Sequence, residues 1–176
     1  MRVSATALPG VLEITVDVAQ DERGRFARVF CATTFAARGL TFAPRQTSLS
    51  RTALRGTMRG LHFQVAPSEE TKLVSCVAGR IFDVVVDLRP QSPSYRKVVT
   101  TELHADDGRA LLIAPGCAHG VLTLSDDAVV LYHIDCDYDP ACARGVRWDD
   151  PAFDIPWPFA PRLIAARDAA WPDYGG

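Results

Sequence analysis

The chain has 176 residues, enough for one domain and short for two full cores. Apolar residues make up 48% and charged residues 23%, values of a folded globular protein rather than a disordered one. Basic and acidic residues nearly cancel, 19 against 21 for a net charge of −2, and no basic block stands out, which argues against non-specific nucleic-acid binding. No apolar run approaches the ~20 residues of a bilayer span. The opening MRVSATALPG turns polar early and carries a Pro-Gly, so no signal peptide is expected and the cytoplasm is the expected compartment.

In chain order, Val11–Val18 alternates apolar and polar residues with the period of a half-buried strand. Asp21-Glu22-Arg23-Gly24 reads as a turn, and Arg25–Phe30 alternates again. Ala32–Gly39 reads as a helix, opened by Thr33 and Thr34 and closed by Gly39. From Gly56 onward strands dominate: Leu61–Val65, Thr71–Ala78, Arg80–Leu88, Lys97–Leu103, Ala110–Ile113, Gly120–Leu124 and Ala128–Ile134. Val84-Val85-Val86, flanked by Asp83 and Asp87, reads as a strand in the middle of a sheet. Roughly nine strands without βα alternation point to a sandwich or barrel. The Pro- and Trp-rich segment WDDPAFDIPWPFAP wraps over a core, and Leu163–Ala170 reads as helical. The expectation is one all-β domain over residues 1–176, with a core at about 8–160 and a helical tail at 161–176.

Five cysteines without a C-x-x-C pair encode neither a disulfide framework nor a zinc ribbon. Cys117, between Pro115-Gly116 and His119, is a candidate nucleophile whose alternative is a small buried hydrophobe. Of four histidines, His62 lies in R-G-L-H-F-Q, inside an apolar strand after a glycine turn, and His119 follows P-G-C-A at the start of another strand. Alternation turns His62 and Gln64 to the same side, so His62, Gln64 and His119 in a barrel interior are a candidate metal set, although a third nitrogen or carboxylate ligand is missing. Of the 19 basic residues 17 are Arg, which makes Lys72 inside T-K-L-V-S-C-V notable. A compact ammonium suits a developing oxyanion, and a solvated side chain is the alternative. Tyr132 in V-V-L-Y-H-I is either an acid or core. Arg51, Arg55 and Arg59 are either solvated or anchors for phosphate oxygens.

Several longer motifs occur in order: E-R-G-R-F (22–26), R-G-T-M-R-G-L-H-F-Q (55–64), K-L-V-S-C-V-A-G-R-I-F-D-V-V-V-D-L-R (72–89), S-P-S-Y (92–95), P-G-C-A-H-G (115–120) and R-G-V-R-W-D-D-P (144–151). On these the chain resembles the dTDP-4-dehydrorhamnose 3,5-epimerase family from about Leu8 to Asp173. The resemblance implies a cupin-like jelly-roll barrel with a few short peripheral helices. It also implies a cofactor-independent epimerase, with no metal, that inverts C3, C5 or both in a nucleotide-linked 4-keto-6-deoxy sugar. The C4 ketone acidifies the neighbouring C–H bonds, and the reaction passes through an enolate. His62 aligns with the family's base, Asp168 with the carboxylate that orients it and Tyr132 with its acid; Lys72 and His119 fall where the enolate oxygen is held. A carboxylate fixes the tautomer of an imidazole and supports its cationic form, as a general base needs. Arg59, Gln46 and Arg167 align near the diphosphate, Thr47 and Ser48 beside Gln46, and Tyr138 with the nucleotide. Arg23 and Phe26 align with an N-terminal segment that enters the partner's site in a homodimer. The chain departs from the family at Arg28, where Glu is usual, at Ser48 and Thr52, where Asn is usual, and at Ala143, where an acidic residue is common. An acceptor exchanged for a donor alters recognition of the sugar or the nucleotide. A metal-dependent cupin enzyme and a sugar-nucleotide-binding protein without catalysis are the alternatives.

Overall fold

The computed structural model describes residues 1–175. In chain order the strands are β1 (Arg2–Ala5), β2 (Leu12–Thr15), β3 (Val18–Asp21), β4 (Gly24–Ala27), β5 (Gln46–Thr52), β6 (Thr57–Gln64), β7 (Lys72–Ala78), β8 (Arg80–Asp87), β9 (Val98–His104), β10 (Arg109–Ile113), β11 (Cys117–Thr123), β12 (Ala128–Ile134), β13 (Ala143–Gly145) and β14 (Leu163–Ile164). Two short helices complete the described residues, α1 (Ala32–Ala36) and α2 (Ala166–Ala169). No helix is long and apolar enough to cross a membrane.

Two six-stranded sheets face each other. The first runs β1-β2-β10-β7-β12-β5; the second runs β13-β6-β11-β8-β9, with β14 added parallel to β6. This is the expected cupin-like jelly roll. Because strand residues alternate sides, the packing is read directly from single strands. Along β8, Val85 joins Val74, Leu111, Val121 and Val130 between the sheets, while Val84 and Val86 pack outward. Their outward cover is the Pro- and Trp-rich segment, through Phe153, Trp157 and Phe159. Both faces of this central strand are covered, which is why it reads as an unbroken Val-Val-Val; each such burial contributes about 1.5–3 kcal/mol. The outer face of the first sheet is covered by Phe35 and Phe42 on and after α1.

Three expectations need correction. The alternating run Val11–Val18 is two strands, β2 and β3, because Val16 leaves the sheet to bond Gly108. The Leu163–Ala170 helix is instead a two-residue strand on β6 followed by the four-residue α2. Helix α1 stops at Ala36, with Gly39 at φ +74 closing the turn.

The interior changes character along its length. At one end it is the apolar cluster around Val85; at the other, inward positions of β6, β7, β11 and β12 carry His62, Lys72, His119 and Tyr132. That change sets the site.

Candidate active site

These side chains line a cavity of about 550 Å³, in the usual range of small-ligand pockets. His62 comes from β6 of the second sheet and Tyr132 from β12 of the first, so the two stand on opposite walls. His119 is the register partner of His62 on β11, and its ring centroid lies 6.1 Å from that of Tyr132.

His62 Nε2 meets Asp168 Oδ1 at 2.7 Å, and the Gly60 N–H donates to Asp168 Oδ2 at 3.2 Å. The carboxylate thus has a partner on each oxygen, and Nδ1 is left as the lone-pair nitrogen of a neutral His62. Burial alone would raise the Asp168 pKa, but the His62 hydrogen bond and charge, with the Gly60 N–H, outweigh it and hold it below the ordinary carboxylate range. Glycine is required at position 60: φ is +120 and a Cβ would stand 2.6 Å from Gly120 Cα, at the irregularity in the β6–β11 ladder. The close approach of the two strands and the N–H aimed at Asp168 have the same cause.

His119 repeats the motif more deeply. Its Nε2 lies 2.9 Å from Asp83 Oδ2, both side chains being buried, and Asp83 Oδ1 has no partner among the described residues. Lys72 is buried too; its Nζ donates to Glu70 Oε1 at 2.8 Å and to the His62 carbonyl at 3.3 Å. One of its three N–H donors stays free for the cavity. Burial pushes the Tyr132 phenol well above its ordinary range, Asp83 adding to this and Arg59 opposing it. It is a neutral proton donor at any ordinary pH.

The remaining candidates divide. Arg59, Tyr138 and Arg167 line the cavity near its mouth, with Arg59 Nε on Thr52 Oγ1 at 2.9 Å. Gln46 and Ser48 pair with Ile134 and Tyr132 and so share their face of the sheet, Gln46 being tied to the Cys136 carbonyl at 2.7 Å. Thr47 is turned outward by the pleat, away from this cavity, and its Oγ1 meets His133 Nδ1 at 3.0 Å. Arg28 lies beside a separate groove with Cys31 and Thr34, away from this cavity. Arg23 and Phe26 sit on the β3–β4 hairpin, outside the chain's own cavity, with Phe26 68% exposed. Of the three spaced arginines only Arg59 faces the cavity; Arg51 pairs with Asp127 and Arg55 stacks on Phe159.

Gln64 is occupied elsewhere, its amide donating to the Ser68 and Asp137 carbonyls and its oxygen accepting the Asp139 N–H. Among the described residues no group of three His, Cys, Asp or Glu side chains is spaced to hold a metal. Cys117 is a buried core thiol, pushed up to about 11 by burial, and so unsuited to nucleophilic work.

Two residues in direct contact with the site escape a reading of the sequence, Asp83 and Glu70. Asp83 has a signal: with Asp87 it places carboxylates on the inward period of an otherwise apolar strand. Glu70 has none, since it lies in a polar loop before β7.

Residues 5–175 match the family described as dTDP-4-dehydrorhamnose 3,5-epimerase. The dTDP-4-dehydrorhamnose 3,5-epimerase of Salmonella typhimurium is 40% identical, covering 98% of this chain and 94% of that protein. The dTDP-4-dehydrorhamnose 3-epimerase of Streptomyces niveus is 39% identical, covering 96% and 81%. Among solved structures, the dTDP-4-dehydrorhamnose 3,5-epimerase of Bacillus anthracis, crystallised with TDP and diphosphate, superposes with a TM-score of 0.95 at 34% identity, covering 98% of this chain and 99% of that one. With the motifs, the jelly roll and the paired histidines all in register, the chain belongs to the dTDP-4-dehydrorhamnose 3,5-epimerase family.

Proposed function

We propose that the protein epimerises a dTDP-linked 4-keto-6-deoxy sugar by proton transfer at the carbons flanking the ketone. The observation that carries this is the pair His62 and Tyr132, lining one cavity from opposite sheets with Lys72 and His119 between them. Inversion requires loss of a proton on one face of the sugar and gain on the other. A base and an acid on one wall would only return the original isomer.

His62, its Nε2–H held by Asp168, takes the proton at Nδ1. The electron pair moves onto the C4 oxygen, where the free N–H of Lys72 meets it. His119 adds a second donor from Nδ1 when its ring carries both protons, with buried Asp83 as the counter-ion. Tyr132 then gives its proton to the opposite face, and solvent restores both groups. Arg59 and Arg167 take the diphosphate, Arg forks matching its oxygens, and Tyr138 takes the base. Five free cysteines suit a reducing cytoplasm.

The functional unit is a homodimer in this reading. The exposed Phe26 and the nearby Arg23 lie on the hairpin outside the cavity that His62 and Tyr132 line in their own chain, which supports their entering the partner's. Light scattering at the mass of one chain would remove that part.

The experiment is incubation with the dTDP-linked 4-keto-6-deoxy sugar in D₂O, following C3 and C5 by NMR. Deuterium at both carbons is the expected result. Exchange at C3 alone favours the second reading, a 3-epimerase, which the almost equal identity to the Streptomyces niveus enzyme supports. No exchange with folded protein overturns both.

A further inference from the structure

Helix α2 carries Arg167 and Asp168, yet little in it explains why it holds still. It spans four residues, its N-cap is Ala165, and no side chain caps it. A helix this short has no stability of its own. Its position is set by the chain on either side of it: β14 on β6 before it, and the segment that follows it.

Beyond α2 the chain is pinned three times. Tyr174 N–H donates to the buried carboxylate of Asp150 at 2.6 Å, and Asp173 pairs with Arg147 at 2.7 Å. The third pin, nearest α2, is Trp171. Its indole occupies the space that Gly145 leaves open, for a Cβ on Gly145 would stand 2.3 Å from Trp171 Cε2 and Nε1. Gly145 is the register partner of His62 across β13 and β6. Opposed residues point to the same face of a sheet, so the indole sits one strand away from His62, on the side His62 faces. The indole also carries Arg167, whose Cζ lies 5.4 Å from the ring centroid. A guanidinium lying over an aromatic ring keeps its in-plane N–H donors free for an anion.

We propose that Trp171 is a positioning residue that ties the anion-binding end of the cavity to its proton-transfer end: it aims Arg167 at the diphosphate and seats Asp168 on His62. The assignment rests on the proposed epimerase reading for the identity of the anion. Its consequence is a coupling. Removing the indole weakens nucleotide binding through Arg167 and slows turnover through Asp168, each effect passing through another side chain.

The test is a double-mutant cycle on the full-length protein with dTDP as the probe, read by calorimetry. Trp171→Ala is expected to weaken dTDP about tenfold in the wild-type background and to add less than about twofold once Arg167→Gln is present. Trp171→Phe, which keeps a flat ring over Gly145, is expected to stay within about threefold of wild type. In turnover, Trp171→Ala lowers kcat as well as raising KM, whereas Arg167→Gln acts on KM alone. Additive losses in the cycle, or a Phe variant as poor as the Ala variant, overturn the inference. Should Trp171→Ala fail to fold, Trp171→Phe against Trp171→Leu reads the same contrast between an aromatic and an aliphatic cover. The two readings fail separately: dTDP binding with the expected coupling but no deuterium exchange sinks the epimerase alone, and exchange with additive losses sinks only the role of Trp171.

Discussion

Two imidazole–carboxylate pairs have their rings side by side on neighbouring strands of the second sheet, in register, and they are built differently. His62 has a side chain 44% exposed to the cavity, and its carboxylate arrives from the far end of the chain, 106 residues away, on a helix held by outside contacts. His119 is 4% exposed, and Asp83 stands on the adjacent interior strand β8, fully buried. Both oxygens of Asp168 are bonded, but only one of Asp83. The same pair of residue types therefore supports two tasks. The accessible ring is placed to accept a proton from a ligand, and the enclosed ring to donate toward a developing charge with a fixed anion behind it. Identity of side chains says little here; access and the second oxygen decide.

The largest expected effect separates the two rings. His62→Ala removes the base, and kcat/KM is expected to fall by about 10²–10⁴-fold, with deuterium wash-in lost at the same time. His119→Ala removes an oxyanion donor and is expected to cost about 10²–10³-fold while slow wash-in persists. Equal losses of wash-in in both variants would erase the distinction between the pairs.

Next come the carboxylates. In Asp168→Asn either the NH₂ opposes the Gly60 N–H, or it faces His62 and donates to Nε2, which moves the ring proton to Nδ1 and removes the lone pair that acts as base. Loss of a hydrogen bond to a charged group is worth about 1.5–3 kcal/mol, so kcat should fall by roughly 10–150-fold. In Asp83→Asn the amide oxygen can keep the His119 contact and the NH₂ can take the place of Oδ1, which has no partner to oppose it. Only the charge is lost, and a drop of about tenfold in kcat is expected. Steady-state kinetics on the two variants, with circular dichroism to confirm folding, checks the order.

How much of this is legible in the chain depends on the same contrast between exposed alternation and enclosed packing. Strands β8, β11 and β12 announce themselves because their inward and outward positions are both apolar or plainly alternate. Strand β5, Q-T-S-L-S-R-T, is silent: it is an edge strand whose inward residues are all polar, and its one large apolar residue, Leu49, is 66% exposed. Motif resemblance brings His62, Lys72, His119, Tyr132 and Asp168 to one cavity, which no spacing rule could do for residues drawn from five elements. It groups Thr47 with Gln46 and Ser48, whereas a single step along a strand is a change of face and the pleat turns Thr47 to the other side. Glu70 and Trp171 stay invisible, since each acts through another side chain rather than as part of a recognisable pattern.

The smallest expected effect is spectroscopic and tests whether the enclosed pair is felt across the cavity. Tyr132 is held above its ordinary range chiefly by burial, with the Asp83 charge as the second cause. A raised phenol pKa keeps the proton on through pH ~10, where an exposed tyrosine would lose it, so wild type and Tyr132→Phe should give superimposable phenolate absorbance up to that point. Removing the anion in Asp83→Asn takes away the lesser cause and leaves burial, so Tyr132 should titrate lower than in wild type by under about one pH unit. Asp168→Asn should leave it unmoved, because that carboxylate is not among the charges that shift Tyr132. Alkaline titration at the phenolate band, with Tyr132→Phe subtracted in each background, measures the difference. A Tyr132 that moves equally in both carboxylate variants would show that the two pairs form one electrostatic unit and that burial of His119 does not set it apart.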